Sequence, residues 1–246
     1  MSRLFPDRLR AWLFPSEIFL LRETSFPKRR TVEESRLPCD PAFGAEAWQG
    51  AVEALKTVKP DFPAKVTVVL ANRFVRYAVV PWSGALGGAA EEEAYLRHHF
   101  AKIHGERAKA WALRASGAQG GAPRLASAID RALIDAVKEC FPGKGKAKLV
   151  SIQPQLMTRF NEWRGEVPAA GAWLVLAEAD RACIALHSGG RWRSVLSGSG
   201  AWLALLERER YRLQGGDAGE LPSLVLLGGA PTPADKGSWQ FREVVA

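Results

Sequence analysis

The stretch from Ala172 to Gly200, AWLVLAEADRACIALHSGGRWRSVLSGSG, constrains the fold more than any other part of the chain. Three apolar runs are separated by two short polar breaks, Glu178-Ala179-Asp180-Arg181 and Gly189-Gly190. Runs of this length, rich in Val, Ile, Leu and Trp, read as three sequential strands joined by tight turns. In the chain it is preceded and followed by stretches of helical periodicity. The first turn contains no glycine, which matters for the chemistry it can support.

The surrounding periodicity supplies those helices. Arg10–Leu13 and Ile18–Arg22 flank Phe14-Pro15-Ser16-Glu17 and predict an opening hairpin. Between Ala42 and Val58, the spacing of Trp48, Val52, Leu55 and Val58 predicts a helix that Pro60 stops. Lys65–Ala71 and Phe74–Val80 form a predicted strand pair around Asn72-Arg73, because asparagine tolerates the left-handed backbone of tight hairpins. After a Gly-rich joint, Glu91–His104 is expected to be a helix burying Tyr95, Phe100 and Ile103, closed by Gly105. A strand at Arg124–Ile129 leads to Asp130, which can cap a helix reaching Phe141. A short strand, Leu149–Ile152, precedes a helix over Gln155–Arg164 that Pro154 opens. Beyond the meander come a helix through Leu203, Leu206 and Tyr211 ending at Gly215-Gly216, a strand at Leu224–Leu227, and a last strand within Trp239–Val245. Hairpins mixed with strand–helix units mean an α/β fold with mixed sheets.

The chain has 246 residues, 47% of them hydrophobic and 24% charged, which is the composition of a folded globular protein. No apolar run approaches the roughly 20 residues needed to cross a bilayer. The N-terminal stretch has no apolar core with a small-residue cleavage site, so no signal peptide is expected. Cys39, Cys140 and Cys183 are widely spaced and suggest neither a disulfide framework nor a zinc site, in keeping with a reducing cytoplasm. The net charge of +8 is compatible with nucleic acid, an anionic membrane face or acidic partners, and selects none of them. Its densest cluster, Lys28-Arg29-Arg30, reads as a solvated loop.

Motifs for common chemistries are missing. FPGKGKAK lacks the loop frame and the Ser/Thr of a P-loop, and GSGAWL has two of the three glycines of a dinucleotide fingerprint. His98 and His99 point about 100° apart on a helix and cannot converge on one ion, while His104 and His187 stand alone. No metal site is expected. GSG at Gly198–Gly200 is too short for a nucleophile elbow. Trp163, Trp173 and Trp202 fall inside periodic elements and are expected in the core, whereas Trp82 and Trp239 lie next to loops where an interaction role is open.

Three stretches carry a resemblance. VTVVLANRFVRYAVVPWSGALGGAAEEEAYLRHHF, RLASAIDRALIDAVKECF with KLVSIQPQLMTRFNEW, and the meander itself resemble, in order and pattern, the PilM-type proteins of type IV pilus assembly. The cytoplasmic domain of GspL in type II secretion and the MshI proteins belong nearby. The resemblance covers roughly Val66–Gly200. It implies an actin-like, ribonuclease H-like α/β fold in two lobes: residues 1–170, with a small inserted subdomain at about 73–123, and a truncated second lobe over 171–246.

Against that pattern the nucleotide motifs are degenerate. Where the family has a phosphate-holding Asp-x-Gly turn, this chain has Ser16 and Glu17 preceded by Pro15, which removes a donor and adds negative charge. The second phosphate turn carries Glu178 and Asp180 without the glycine that lets backbone approach phosphate. A remnant of the adenosine side survives at Gly228-Gly229. The helix after the meander runs directly to SLVLLGG, so the insert that walls the adenine is missing. No cofactor and no catalytic residue are therefore expected.

The resemblance implies a non-catalytic cytoplasmic scaffold, peripheral at the inner membrane, in a pilus or secretion assembly platform. Its expected partner is the cytoplasmic tail of a membrane-anchored platform protein, with an assembly ATPase as a further contact. Two alternatives stand beside it. One is an active nucleotide-binding ATPase using Glu178 or Asp180 to hold magnesium. The other is a basic nucleic-acid-binding protein, for which a basic helix, an RNP-like pattern and a zinc finger are all lacking.

Overall fold

A computed structural model of the chain describes residues 6–24, 30–117, 121–143, 145–178, 180–215 and 220–244. Its strands are β1 (Asp7–Leu13), β2 (Glu17–Thr24), β3 (Arg30–Pro38), β4 (Ala64–Leu70), β5 (Val75–Val80), β6 (Trp111–Ala115) and β7 (Arg124–Asp130). They continue with β8 (Ala147–Pro154), β9 (Ala172–Ala177), β10 (Arg181–Ser188), β11 (Arg191–Ser199), β12 (Leu224–Gly228) and β13 (Gln240–Glu243). The α-helices are α1 (Gln49–Lys56), α2 (Ala89–His104), α3 (Arg131–Glu139), α4 (Gln155–Trp163) and α5 (Trp202–Gln214). None of them is long and apolar enough to cross a membrane.

The chain divides into two compact units. The first comprises Met1–Val75, Ala110–Ala112 and Ile129–Thr158; the second comprises Arg76–Lys109, Leu113–Ala128 and Arg159–Ala246. The first unit holds a five-stranded sheet in the order β3-β2-β1-β4-β8. β1 and β2 are antiparallel with Leu9, Ala11 and Leu13 opposite Arg22, Leu20 and Ile18, and β4 and β8 run parallel to β1. Leu13, Ile18, Val66, Val68 and Leu70 are fully buried here with Leu55 of α1 and Leu133 of α3. Asp130 caps α3 as expected, its Oδ1 accepting from the Ala132 amide at 2.9 Å.

The second unit repeats the plan. Its five-stranded sheet has the order β11-β10-β9-β12-β13, with β9, β10 and β11 antiparallel and β12 parallel to β9. Leu205 and Leu206 of α5 pack on one face with Trp173, Val175, Ile184, Leu186 and Val225. On the other face Phe160 of α4 lies against His187 and Trp192, with ring centroids 4.8 and 4.6 Å away. Covering both faces explains why β9 and β10 are almost uninterrupted in burial. A separate three-stranded sheet has the order β5-β7-β6.

Several expectations need correcting. β4 and β5 are not a hairpin: β4 lies between β1 and β8, and β5 pairs with β7 in another sheet. Asn72–Phe74 forms a 3-10 turn instead, with the Phe74 amide on the Ala71 carbonyl and the Asn72 amide on Gln155 Oε1 at 3.2 Å. No residue other than glycine among those described has a positive φ, so Asn72 never adopts the left-handed state a tight hairpin asks for. β4 is buried on one face throughout, at Ala64, Val66, Val68 and Leu70, while its other face passes from exposed Lys65 through half-buried Thr67 to buried Val69.

α1 is shorter than expected and begins at Gln49, because Asp40 first folds the chain into a turn, accepting from the Ala42 amide on Oδ1 and the Phe43 amide on its carbonyl. On α2 the buried residues are Leu96 and Phe100, while Ile103 is 63% exposed near the helix end. Tyr211 on α5 is 80% exposed, and Leu205, Leu206 and Glu209 face inward. Trp239 is core, edge-on to Trp173 with centroids 6.0 Å apart and with the Arg210 guanidinium 4.4 Å from its ring centre. Arg30 opens the strand β3 rather than a loop, while Lys28, Arg29, Ala179 and Gly216 lie outside the described residues.

The Glu209 carboxylate is buried against β11, where Ser194 donates to it and Arg212 Nε bonds its Oε2 at 2.8 Å. Burial pushes its pKa up, but the hydrogen bonds from Arg212 and Ser194 outweigh that and hold it below the ordinary value. A carboxylate with a depressed folded pKa stabilises above its unfolded pKa of about 4.3, and that contribution is lost as pH falls through the folded value. Glu209→Gln should therefore flatten the loss of stability seen in urea titrations below about pH 4.5 and cost roughly 1–2 kcal/mol at neutral pH. An unchanged acid limb would remove Glu209 from that transition.

Candidate functional site

The first candidate turn, between β1 and β2, is closed by its own backbone. The Phe14 amide donates to the Glu17 carbonyl at 2.9 Å, and the Ser16 carbonyl accepts from the Cys39 amide at 2.8 Å. Pro15 has no N–H to offer. Ser16 is exposed, and the half-buried Glu17 accepts from Arg36 Nη1 at 2.5 Å, with that guanidinium 5.1 Å from the Phe19 ring centre. Burial, with the nearby Glu17 charge, pushes the Cys39 thiol up. The turn is thus closed on itself, with the Glu17–Arg36 ion pair at its edge.

The second candidate turn joins β9 to β10. The Glu178 amide donates to the Arg181 carbonyl at 2.8 Å, and the Asp180 carbonyl accepts from the Gly200 amide at 3.1 Å. Glu178 is half-buried and Asp180 exposed. Below the turn, burial pushes the Cys183 thiol up to about 12, so it is an inert core thiol. Positive charge gathers nearby: desolvation, then Arg181 and Arg107, hold the Arg76 guanidinium below its ordinary value.

Gly228 and Gly229 have their own structural explanation. A Cβ on Gly228 would stand 2.7 Å from Cη2 of Trp163, so the indole occupies the space beside this glycine. Gly229 has φ +82°, and a Cβ there would lie 2.1 Å from the Ala177 carbonyl oxygen. Packing inside the second unit thus constrains both positions, Gly229 through a backbone atom and Gly228 through a side chain.

Burial between aromatic rings lowers the His187 pKa, and burial followed by Lys102 and His98 lowers that of His99. Among the described residues no group of His, Cys, Asp and Glu could hold a metal ion.

Each unit carries a hollow among its described residues. That of the second unit, about 400 Å³, is lined by Trp82, Leu86, Gly88, Tyr95, Leu96 and Arg124 among others. Trp82 is 46% exposed, and Glu92 and Arg124 neutralise one another at 2.8 Å. In the first unit a hollow of about 210 Å³ is lined by Leu20, Leu37, Val58, Phe62 and Arg22 among others, the Arg22 guanidinium lying 3.5 Å from the Phe62 ring centre. Both offer apolar surface beside an ion-paired arginine, Arg22 with Asp7 in the first unit and Arg124 with Glu92 in the second. The exposed position of Trp82 was legible as an indole beside a loop. Tyr95 and Arg124 are brought to it from distant elements and carried no such signal.

No protein-family model matches the chain, and no curated protein sequence does. Solved structures do. The cytoplasmic domain of EpsL, an inner-membrane component of the type II secretion system of Vibrio cholerae, superposes with a TM-score of 0.62 at 14% identity, covering 98% of this chain and 90% of that one. The PilM–PilN type IV pilus biogenesis complex gives 0.62 at 15% identity over 89% of this chain and 80% of that one. A Bacteroides thetaiotaomicron protein with an actin-like ATPase fold and unknown function gives 0.58 at 14% identity over 94% of this chain and 84% of that one. Together with the repeated strand order, these likenesses assign the chain the actin-like ATPase fold.

Proposed function

We propose that the chain is a non-catalytic cytoplasmic scaffold of a type IV pilus or type II secretion-like inner-membrane assembly platform, docking the cytoplasmic tail of a membrane-anchored partner. The observation that carries this reading is the state of the two phosphate turns: one is closed around Pro15 with Glu17 at its edge, and the other lacks glycine. The likeness to the EpsL domain, described as part of an inner-membrane component, and to PilM, solved as a complex with PilN, supports the platform and the tethered partner. In this reading the chain is peripheral at the inner membrane, an assembly ATPase is a further contact, and nucleic acid is not a ligand. Its first lobe spans residues 1–170 with a small subdomain near 73–123, and a truncated second lobe spans 171–246.

Titration calorimetry with ATP and magnesium should give no saturable heat, and pull-downs from a strain carrying the tagged chain should recover a pilus or secretion component. Micromolar nucleotide binding, or recovery of neither kind of component, would sink the proposal. The exposed Asp180 in the turn before β10 favours one rival, a surviving ATPase. Phosphate release compared between the wild type and Asp180→Ala tests it: turnover that the substitution abolishes would establish the rival, and no turnover would dismiss it.

A further inference from the structure

Across three neighbouring strands of the first unit, Arg8 on β1, Lys65 on β4 and Lys148 on β8 occupy one row of the register. All three are exposed. Their flanking residues Leu9 and Val66 are buried toward the other side, so by strand alternation the three cations share one face of the sheet. On β2 the row ends at Glu23, opposite Arg8, and that carboxylate lies 3.9 Å from Arg10. Like charges directly opposite one another disfavour strand pairing, yet here two successive cross-strand pairs are cationic. The row sits at the opposite end of β1 from the Phe14–Glu17 turn, so it is unrelated to any phosphate site there.

We infer that this row is a docking surface for an acidic α-helix of a partner protein, lying across the strands with three carboxylates facing Arg8, Lys65 and Lys148. Charge complementarity sets the sign of the partner, and spacing sets its conformation. Neighbouring strands are about 4.8 Å apart, so the cations recur at about that interval across the sheet. Side chains three or four apart on a helix recur at about 5–6 Å. Same-face side chains of an extended chain recur at roughly 6.6–6.8 Å, a poorer match. Strand addition at the β8 edge is also disfavoured, because the register of β8 against β4 shifts between Val66 and Thr67. The inference does not rest on the platform reading, and its failure would leave that reading standing.

The test uses the full chain and a labelled alanine-based helical peptide with glutamates at i, i+4 and i+7. A control peptide of the same composition has its glutamates spread around the helix. Anisotropy titrations at low salt should show the one-faced peptide binding about tenfold more tightly, with the preference fading as salt rises. Lys65→Glu/Lys148→Glu, and the milder Lys65→Gln/Lys148→Gln, should abolish the preference. Lys138→Glu, at an exposed site on α3, should leave it intact. Equal binding of the two peptides, or a preference that survives both double variants, would overturn the inference. So would tighter binding to phosphatidylglycerol/phosphatidylcholine vesicles or to duplex DNA than to the one-faced peptide.

Discussion

Gly229→Ala is expected to destabilise the chain by about 2–5 kcal/mol. Roughly 1–2 of this comes from holding alanine in a left-handed backbone and about 1–3 from steric overlap. The methyl carbon would lie 2.1 Å from the Ala177 carbonyl oxygen, a backbone atom at the end of β9 that cannot rotate away. Because β12 pairs with β9 through Gly228 and Leu176, relief would mean prying apart two central strands. For a chain of this size the melting temperature should fall by roughly 5–15 °C in a thermal scan. A fall under about 2 °C would mean that Ala177 has room to withdraw. The experiment also bears on function. If Gly229 served only to admit a nucleotide, alanine would leave folding intact. Gly228→Ala should be milder, since the atom it meets belongs to the indole of Trp163, a side chain that can shift.

Trp173→Ala should be comparably damaging, costing about 3–5 kcal/mol in urea denaturation followed by circular dichroism. Trp173 is fully buried on β9, edge-on to Trp239, and its Nε1 donates to the Pro222 carbonyl at 3.0 Å. It therefore ties together the central strand, the approach to β12 and the final segment before β13. Removing it empties the centre of the core that α5 covers and strips Pro222 of its donor. Trp173→Phe should retain much of the packing and lose less. A loss below about 1 kcal/mol for the alanine variant would mean that this core can collapse around the gap.

Both variants concern residues whose importance was unequally legible. Trp173 sits in an unbroken apolar run, and a large aromatic there is expected in the core from the run alone. Gly229 looked like a remnant of a ligand site, and only the approach of the Ala177 carbonyl and the Trp163 ring reveals a packing requirement. Trp239 illustrates the same limit. It adjoins loops in the chain, yet Trp173 and Arg210 enclose it. Asn72 had the chemistry of a hairpin turn, but a hydrogen bond to Gln155, distant in the chain, fixes it in another conformation. Tyr211 followed the helical spacing, and Glu209 took the inward place because Ser194 and Arg212 satisfy its carboxylate.

The amino-acid sequence by itself determined the local elements: the meander of β9, β10 and β11, the Asp130 cap, and two strand-joining turns that contain no glycine. These depend on the spacing of apolar residues and on which residues stand in each turn, all properties of a few adjacent residues. Only the tertiary structure decided that both five-stranded sheets share one strand order, that β4 and β5 part into different sheets, and that three cations line up across β1, β4 and β8. Strand pairing joins residues far apart in the chain. Its energy lies in contacts that no local spacing encodes, so periodicity can announce a strand without naming its neighbour.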